Sequence, residues 1–109
     1  MKTTIAIIAV LILAASTSFA QEERSLIRKG NKAYEEGNFS KAADQYDKAL
    51  KTNPAEVSVY GNSGAANYRN DQFEKSVNAY NEYLRTDLTD KQKAEAYYNL
   101  GNTYMQANK

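Results

Sequence analysis

The side chains available for chemistry in this 109-residue chain are carboxylates, lysines, hydroxyls and phenols, because it contains no His and no Cys. A His-based triad, a thiol nucleophile, a Cys/His zinc site, haem attachment and a disulfide framework are therefore excluded. The carboxylates do not pair for acid–base work. Glu22/Glu23 and Glu35/Glu36 are sequence neighbours; on a helix such neighbours point about 100° apart and cannot converge on one substrate atom, so they read as solvated charges. Asp44 and Asp47 stand one turn apart with no third ligand beside them, so no metal site is expected. Gly30, Gly37, Gly61, Gly64 and Gly101 form no phosphate-cradling loop, and each fits a packing or turn role in the repeat described below. Fourteen basic residues against thirteen acidic ones give a net charge of +1, without the basic footprint that displaces phosphate counterions. No catalysis, no cofactor and no nucleic-acid partner are expected.

What remains is recognition by a surface, which needs elements to build it. Lys2 precedes an uncharged apolar run from Ile5 to Ala15, followed by small residues at Ser18 and Ala20. This pattern predicts a secretory signal over residues 1–20, cleaved after Ala20. The alternative is an uncleaved anchor, but the run falls short of the roughly 20 residues of a spanning helix. No Cys follows it, so a lipoprotein anchor is excluded, and after cleavage no stable membrane insertion is expected. In residues 21–109 the charges balance, and Leu, Ile, Val and Phe number only eleven. All nine Tyr lie there among many Ala. The expected core is therefore one of Tyr and Ala, in which the ring supplies apolar area and Ala permits close helix approach.

Sliding the chain by 34 residues superimposes Gly30 on Gly64, Tyr34 on Tyr68, Phe39 on Phe73, Tyr46 on Tyr80 and Leu50 on Leu84. A further slide of 37 places Tyr60 on Tyr97, Asn62 on Asn99 and Gly64 on Gly101. The matches fall on small and aromatic positions at helical spacing, the mark of an internal structural repeat. Leu26, Gly30 and Ala33, then Phe39, Ala42, Ala43, Tyr46 and Ala49, predict two amphipathic helices broken at Gly37-Asn38. Gly37 suits a left-handed helix terminus. Asn53-Pro54-Ala55-Glu56 predicts a cap, a first-turn proline and a capping-box acid for the next helix, and Thr89 with Gln92 offers the same box later.

The segment Gly30-Asn31-Lys32-Ala33-Tyr34 through Gly37-Asn38-Phe39, Ala42, Tyr46, Ala49-Leu50 and Pro54 resembles a tetratricopeptide repeat. The resemblance implies an all-α, right-handed solenoid of antiparallel helix pairs, about two and a half units long, after the signal peptide. Repeat 1 covers about 23–56, repeat 2 about 57–90, and a partial repeat 3 about 94–109. The third is expected to be truncated, because Tyr97, Leu100 and Tyr104 keep the internal pattern instead of the polar face of a cap. Repeat 2 departs from the pattern at Asn67, where a large apolar residue is usual, at Asp71 for the turn glycine, and at Leu88 for proline.

In such arrays the first helix of each pair lines a concave groove. The helical period places Arg28, Asn31, Tyr34, Asn62, Tyr68, Arg69, Tyr98, Asn99 and Asn102 there, with Ile27, Glu35, Gly61, Ala65 and Glu95 flanking them. An Asn amide has one acceptor and two donors, so the stripe can pair with an extended peptide backbone, and Tyr can pack on apolar groups of the ligand. The same Asn read equally as solvated helix residues, since Asn70, Asn78, Asn81 and Asn108 lie off this face. A carboxylate clamp of the chaperone-tail type is not expected, because Ile27, Glu95 and Asn99 stand at its basic positions. Two functions follow: a scaffold binding a peptide or partner protein in the groove, or an assembly module self-associating through Tyr97, Leu100 and Tyr104. Gln21, the segment Glu23 to Asn31 and the run Tyr98-Asn99-Leu100-Gly101-Asn102 are also similar to tetratricopeptide proteins of the Bacteroidetes aerotolerance (Bat) operon. That likeness implies a periplasmic protein with von Willebrand-type and ATPase partners.

Overall fold

Breaks in the helical period set the architecture. The computed structural model describes the backbone of residues 2–109 and side chains from Ser18 onward, so most of the expected leader, residues 1–20, lies outside the described side chains. Five helices follow in order: α1 (Lys2–Glu35), α2 (Phe39–Thr52), α3 (Val57–Arg69), α4 (Phe73–Leu84) and α5 (Asp90–Ala107). Among the described residues there is no strand, and no helix is long and apolar enough to cross a membrane. Each helix packs on the next, α1 on α2, α2 on α3, α3 on α4 and α4 on α5.

The first break falls as the sequence predicts. Gly37 takes φ 77°, Asn38 N donates to Ala33 O at 2.8 Å, and the Asn38 side chain accepts from Lys41 N at 3.2 Å to start α2. At the equivalent place in the second pair Asp71 adopts φ 57°, a left-handed conformation that costs a residue with a Cβ about 1 kcal/mol. Gln72 N donates to Asn67 O at 2.8 Å, as Asn38 N does to Ala33 O, so the turn keeps its shape without glycine. Thr89 and Gln92 form the predicted capping box of α5.

The junction between α2 and α3 differs from its sequence reading. Asn53 ends α2 instead of starting α3, and its Oδ1 accepts from Ala55 N at 3.1 Å in a local turn. Glu56 is the N-cap of α3 without a side-chain bond to the backbone; its carboxylate accepts from Ser58 Oγ at 3.1 Å instead. Pro54 therefore lies in the turn, outside the helix. The Asn53 amide is held from far away: Nδ2 donates to Glu23 Oε2 at 3.1 Å. Glu23 is buried, not the solvated charge expected, and it ties the start of the first repeat to its end.

Ala33, Ala42, Ala43, Tyr46, Ala49, Val59 and Ala66 form the core of the first pair and its junction, with Leu26, Ile27, Tyr34 and Leu50 against it. The Tyr/Ala composition is realised, but only Tyr46 and Tyr80 are fully buried, while Tyr97, Tyr98 and Tyr104 are exposed. The two buried rings lie directly on glycines. A Cβ on Gly30 would come within 2.6 Å of the Tyr46 ring, and one on Gly64 within 2.8 Å of the Tyr80 ring. Gly61 likewise faces Tyr83 at 3.3 Å, so of its two expected places, packing and groove, it takes packing. Gly101, expected to pack like its counterparts, has nothing within 4 Å.

Polar links replace apolar contacts elsewhere. Asn67 is buried, and its Nδ2 donates to Ser63 O at 2.9 Å and Ser63 Oγ at 3.1 Å. Ser63 Oγ in turn donates to Asp47 Oδ1 at 3.1 Å, while Asp44 pairs with Lys48 at 3.1 Å. Among the described residues no group of His, Cys, Asp and Glu could hold a metal. In the second pair, Ser76 Oγ donates to Gly64 O at 2.7 Å and lies 3.4 Å from Thr103 Oγ1, which donates to Asn99 O at 2.7 Å.

Candidate functional site

The first helices of the pairs, α1, α3 and α5, line a trough made of two adjoining depressions that share Tyr34 and Ala65. The first, of about 350 Å³, is lined by Asn31, Tyr34, Glu35, Tyr46, Asn62 and Ala65. The second, of about 220 Å³, is lined by Tyr34, Ala65, Tyr68, Arg69, Tyr80, Asn99 and Asn102. Seven of the nine residues picked from the sequence are thus brought together. Tyr98 lies beside the trough, in a separate shallow hollow with Ala94, Glu95 and Asn99. Arg28 is exposed and lines neither depression.

Several of these side chains are already engaged. The Tyr46 hydroxyl donates to Asn31 Oδ1 at 2.6 Å, which fixes that amide and leaves chiefly its NH₂ for a ligand. Tyr34 packs edge-on against Phe39 at 5.1 Å and Tyr68 against Phe73 at 5.7 Å between ring centroids. Arg69 sits 4.5 Å above the Phe39 ring, a cation–π contact between repeats, and among the described residues it forms no ion pair. Asn62, Asn99 and Asn102 donate no side-chain bond to a described residue.

The sequence reading missed two residues of the trough, Tyr46 and, without a hydrogen-bond partner, Tyr80. Tyr80 matches Tyr46 in the repeat, but Ala65 stands where repeat 1 has Asn31. The end of its ring lies on Gly64, the residue borders the second depression, and its hydroxyl finds no acceptor of the Asn31 kind. The mismatch of Asn31 with Ala65 beneath matched tyrosines was visible in the sequence, but Tyr80 lies on a second helix and reaches the trough only past a glycine.

Burial, and secondarily the nearby phenols of Tyr34 and Tyr68, push the Tyr80 pKa up from 10 to about 12. Tyr46 is also raised, first by burial, then by Tyr34 and Glu35. A phenol ionises near pH 10 in the unfolded chain, so the folded state holds the Tyr80 proton more tightly. The stability linked to this group is complete below about pH 10 and is lost as pH rises toward about 12. Denaturant titrations across that window should show stability falling in the parent chain and falling less in Tyr80→Phe; parallel curves would refute the assignment.

Comparison with known proteins places this geometry. A family model for the tetratricopeptide repeat matches residues 27–91. Among solved structures, the chain is similar to the N-terminal domain of stress-induced protein-1 (STI-1) from C. elegans, with 26% identity and a TM-score of 0.69. The likeness covers 83% of this chain and 74% of that one. No curated protein sequence matches. Domains built this way are protein-interaction modules and typically lack catalysis. On its sequence pattern, its paired helices and the family match, the chain belongs to the tetratricopeptide repeat family.

Proposed function

We propose that this protein is an exported, non-catalytic scaffold whose trough holds an extended segment of a partner protein. The observation that carries this reading is the line of unengaged hydrogen-bonding groups along the trough: the amides of Asn62, Asn99 and Asn102 and the Tyr80 hydroxyl. Amides present both a donor and an acceptor to a peptide backbone, while Tyr34 and Tyr68 supply apolar walls. Arg69, above Phe39 without a carboxylate partner, offers a positive charge at the same place. The leader pattern at residues 1–20 supports export, and the likeness to the Bat-operon proteins supports a periplasmic protein partner.

The test is retention of partners from an envelope extract on the immobilised chain. Each lost backbone contact is worth about 1 kcal/mol, so Asn62→Ala combined with Tyr80→Phe should weaken retention roughly tenfold or more. Undiminished retention by this double variant, with its helical content intact, would exclude the trough as the binding surface.

A further inference from the structure

The two depressions of the trough differ in charge. The second contains Arg69 and no carboxylate, and among the described residues Arg69 is the only basic side chain lining either one. Its guanidinium lies 4.5 Å above the Phe39 ring and has no carboxylate partner among the described residues. A contact of this kind holds the charge in place and leaves its N–H donors free for a ligand. The lining adds further donors. On α5, Leu100, named from the sequence as part of a self-association patch, is instead buried, and Asn99 and Asn102 border the depression with their amides. Among the described residues no side-chain oxygen or nitrogen that lacks a partner is sealed from solvent, so the unpartnered Tyr80 hydroxyl opens on the depression it lines. Burial keeps that hydroxyl protonated far above neutral pH. Carboxylates stand to either side: Glu35 lines the first depression, and Glu95 lines the shallow hollow that shares Asn99 with the second. Both are exposed, and neither forms an ion pair among the described residues. Along the trough the order is negative, positive, negative.

We infer that the second depression is the specificity pocket of the trough and takes a single acidic side chain from the interior of an extended partner segment, with Arg69 paired to its carboxylate and Tyr80, Asn99 and Asn102 donating hydrogen bonds to it. This rests on the trough reading above and names what the trough selects. An ionised carboxylate is acceptor-only, with about four lone-pair sites, and so matches a lining of donors. Bonds to it that carry charge are stronger than neutral ones. Gln in the same place would lose the charge and set its own NH₂ against those donors. Further acids on either side would meet Glu35 and Glu95, so one acid is preferred to an acidic run. The depression also has trough on both sides. A segment passing through fills both, whereas a chain end seated at Arg69 leaves one empty.

Nuclear magnetic resonance titration of the full, isotope-labelled chain tests it, read from the side-chain NH₂ signals of Asn99 and Asn102. The probes are acetylated, amidated heptapeptides of Ala and Ser whose centre is Gln, one Glu or three consecutive Glu, and the Gln peptide with a free C-terminal carboxylate. The single-Glu peptide should bind roughly fivefold or more tightly than the amidated Gln peptide, the effect of one charge-assisted contact at an exposed arginine. The three-Glu peptide should bind no more tightly than the single-Glu one, and the free carboxylate should not substitute for the side chain. Arg69→Gln should erase the preference for Glu over Gln. Tyr80→Phe, which leaves the Phe39 contact in place, should reduce that preference; circular dichroism verifies the fold of both variants. Equal binding of the Glu and Gln peptides would overturn the inference and leave the trough reading standing. A preference that survives Arg69→Gln, tighter binding of the three-Glu peptide, a free carboxylate that matches the Glu side chain, or no response to any peptide would also overturn it, while retention of partners from the extract tests the trough separately.

Discussion

Gly64→Ala should destabilise the fold by up to about 2 kcal/mol, whereas the same change at Gly101 should stabilise it by about 1 kcal/mol. Alanine in place of glycine in a helix interior ordinarily gains about 1 kcal/mol, so both variants start from the same gain. At Gly64 the new methyl would lie 2.8 Å from the Tyr80 ring, which is only 4% exposed. Overpacking of this kind costs about 1–3 kcal/mol and outweighs the propensity term. At Gly101 nothing opposes the gain. Urea denaturation should give midpoints displaced in opposite directions. A Gly64→Ala midpoint above that of the parent chain would refute the ring-on-glycine account.

The larger loss is expected from Tyr46→Ala, at about 3–5 kcal/mol, the range for emptying a fully buried aromatic site. Tyr46 is 2% exposed and belongs to the core of the first pair, whose other members are mostly alanines. Alanine neighbours have no side chains able to swing into the space. A domain of this size has roughly 5–13 kcal/mol in all, so much of its stability would go, and thermal melts by circular dichroism should shift down steeply or lose their cooperative transition. Tyr46→Phe separates the ring from its hydroxyl: it should cost only about 1 kcal/mol, while freeing Asn31 Oδ1, now held at 2.6 Å. Equal losses in the two variants would place the contribution in the hydrogen bond instead of the ring.

Features set by neighbouring residues were legible in the sequence. The Gly37-Asn38 break and the Thr89/Gln92 box obey local backbone rules, and both stand where the pattern placed them. The Asn53 junction was misread because its amide answers to Glu23, thirty residues earlier, a pairing that no local window contains. The share of tyrosine in the core was overstated for a related reason. Whether a ring is core or surface depends on the helix that folds over it, which separates Tyr46 and Tyr80 from Tyr97 and Tyr104. In the trough, helical period was enough to collect Asn31, Asn62, Asn99, Asn102, Tyr34, Tyr68 and Arg69. It could not find Tyr46 and Tyr80, which reach the trough from the second helix of each pair, nor tell that Arg28 and Tyr98 fall outside.

The hydroxyls of Ser76 and Thr103, both without solvent exposure, give the trough an uneven mechanical character. A hydroxyl bond is directional, and a buried one left unmade is costly. Sliding α3, α4 or α5 by one residue would strand Ser76 against Gly64 O or shift Thr103 away from it. Between α2 and α3 the directional link is that of Ser63 Oγ to the half-buried Asp47 Oδ1, where water can take the place of a lost partner. The half of the trough that carries Tyr80, Asn99 and Asn102 is thus the half whose helix register is fixed by fully buried bonds.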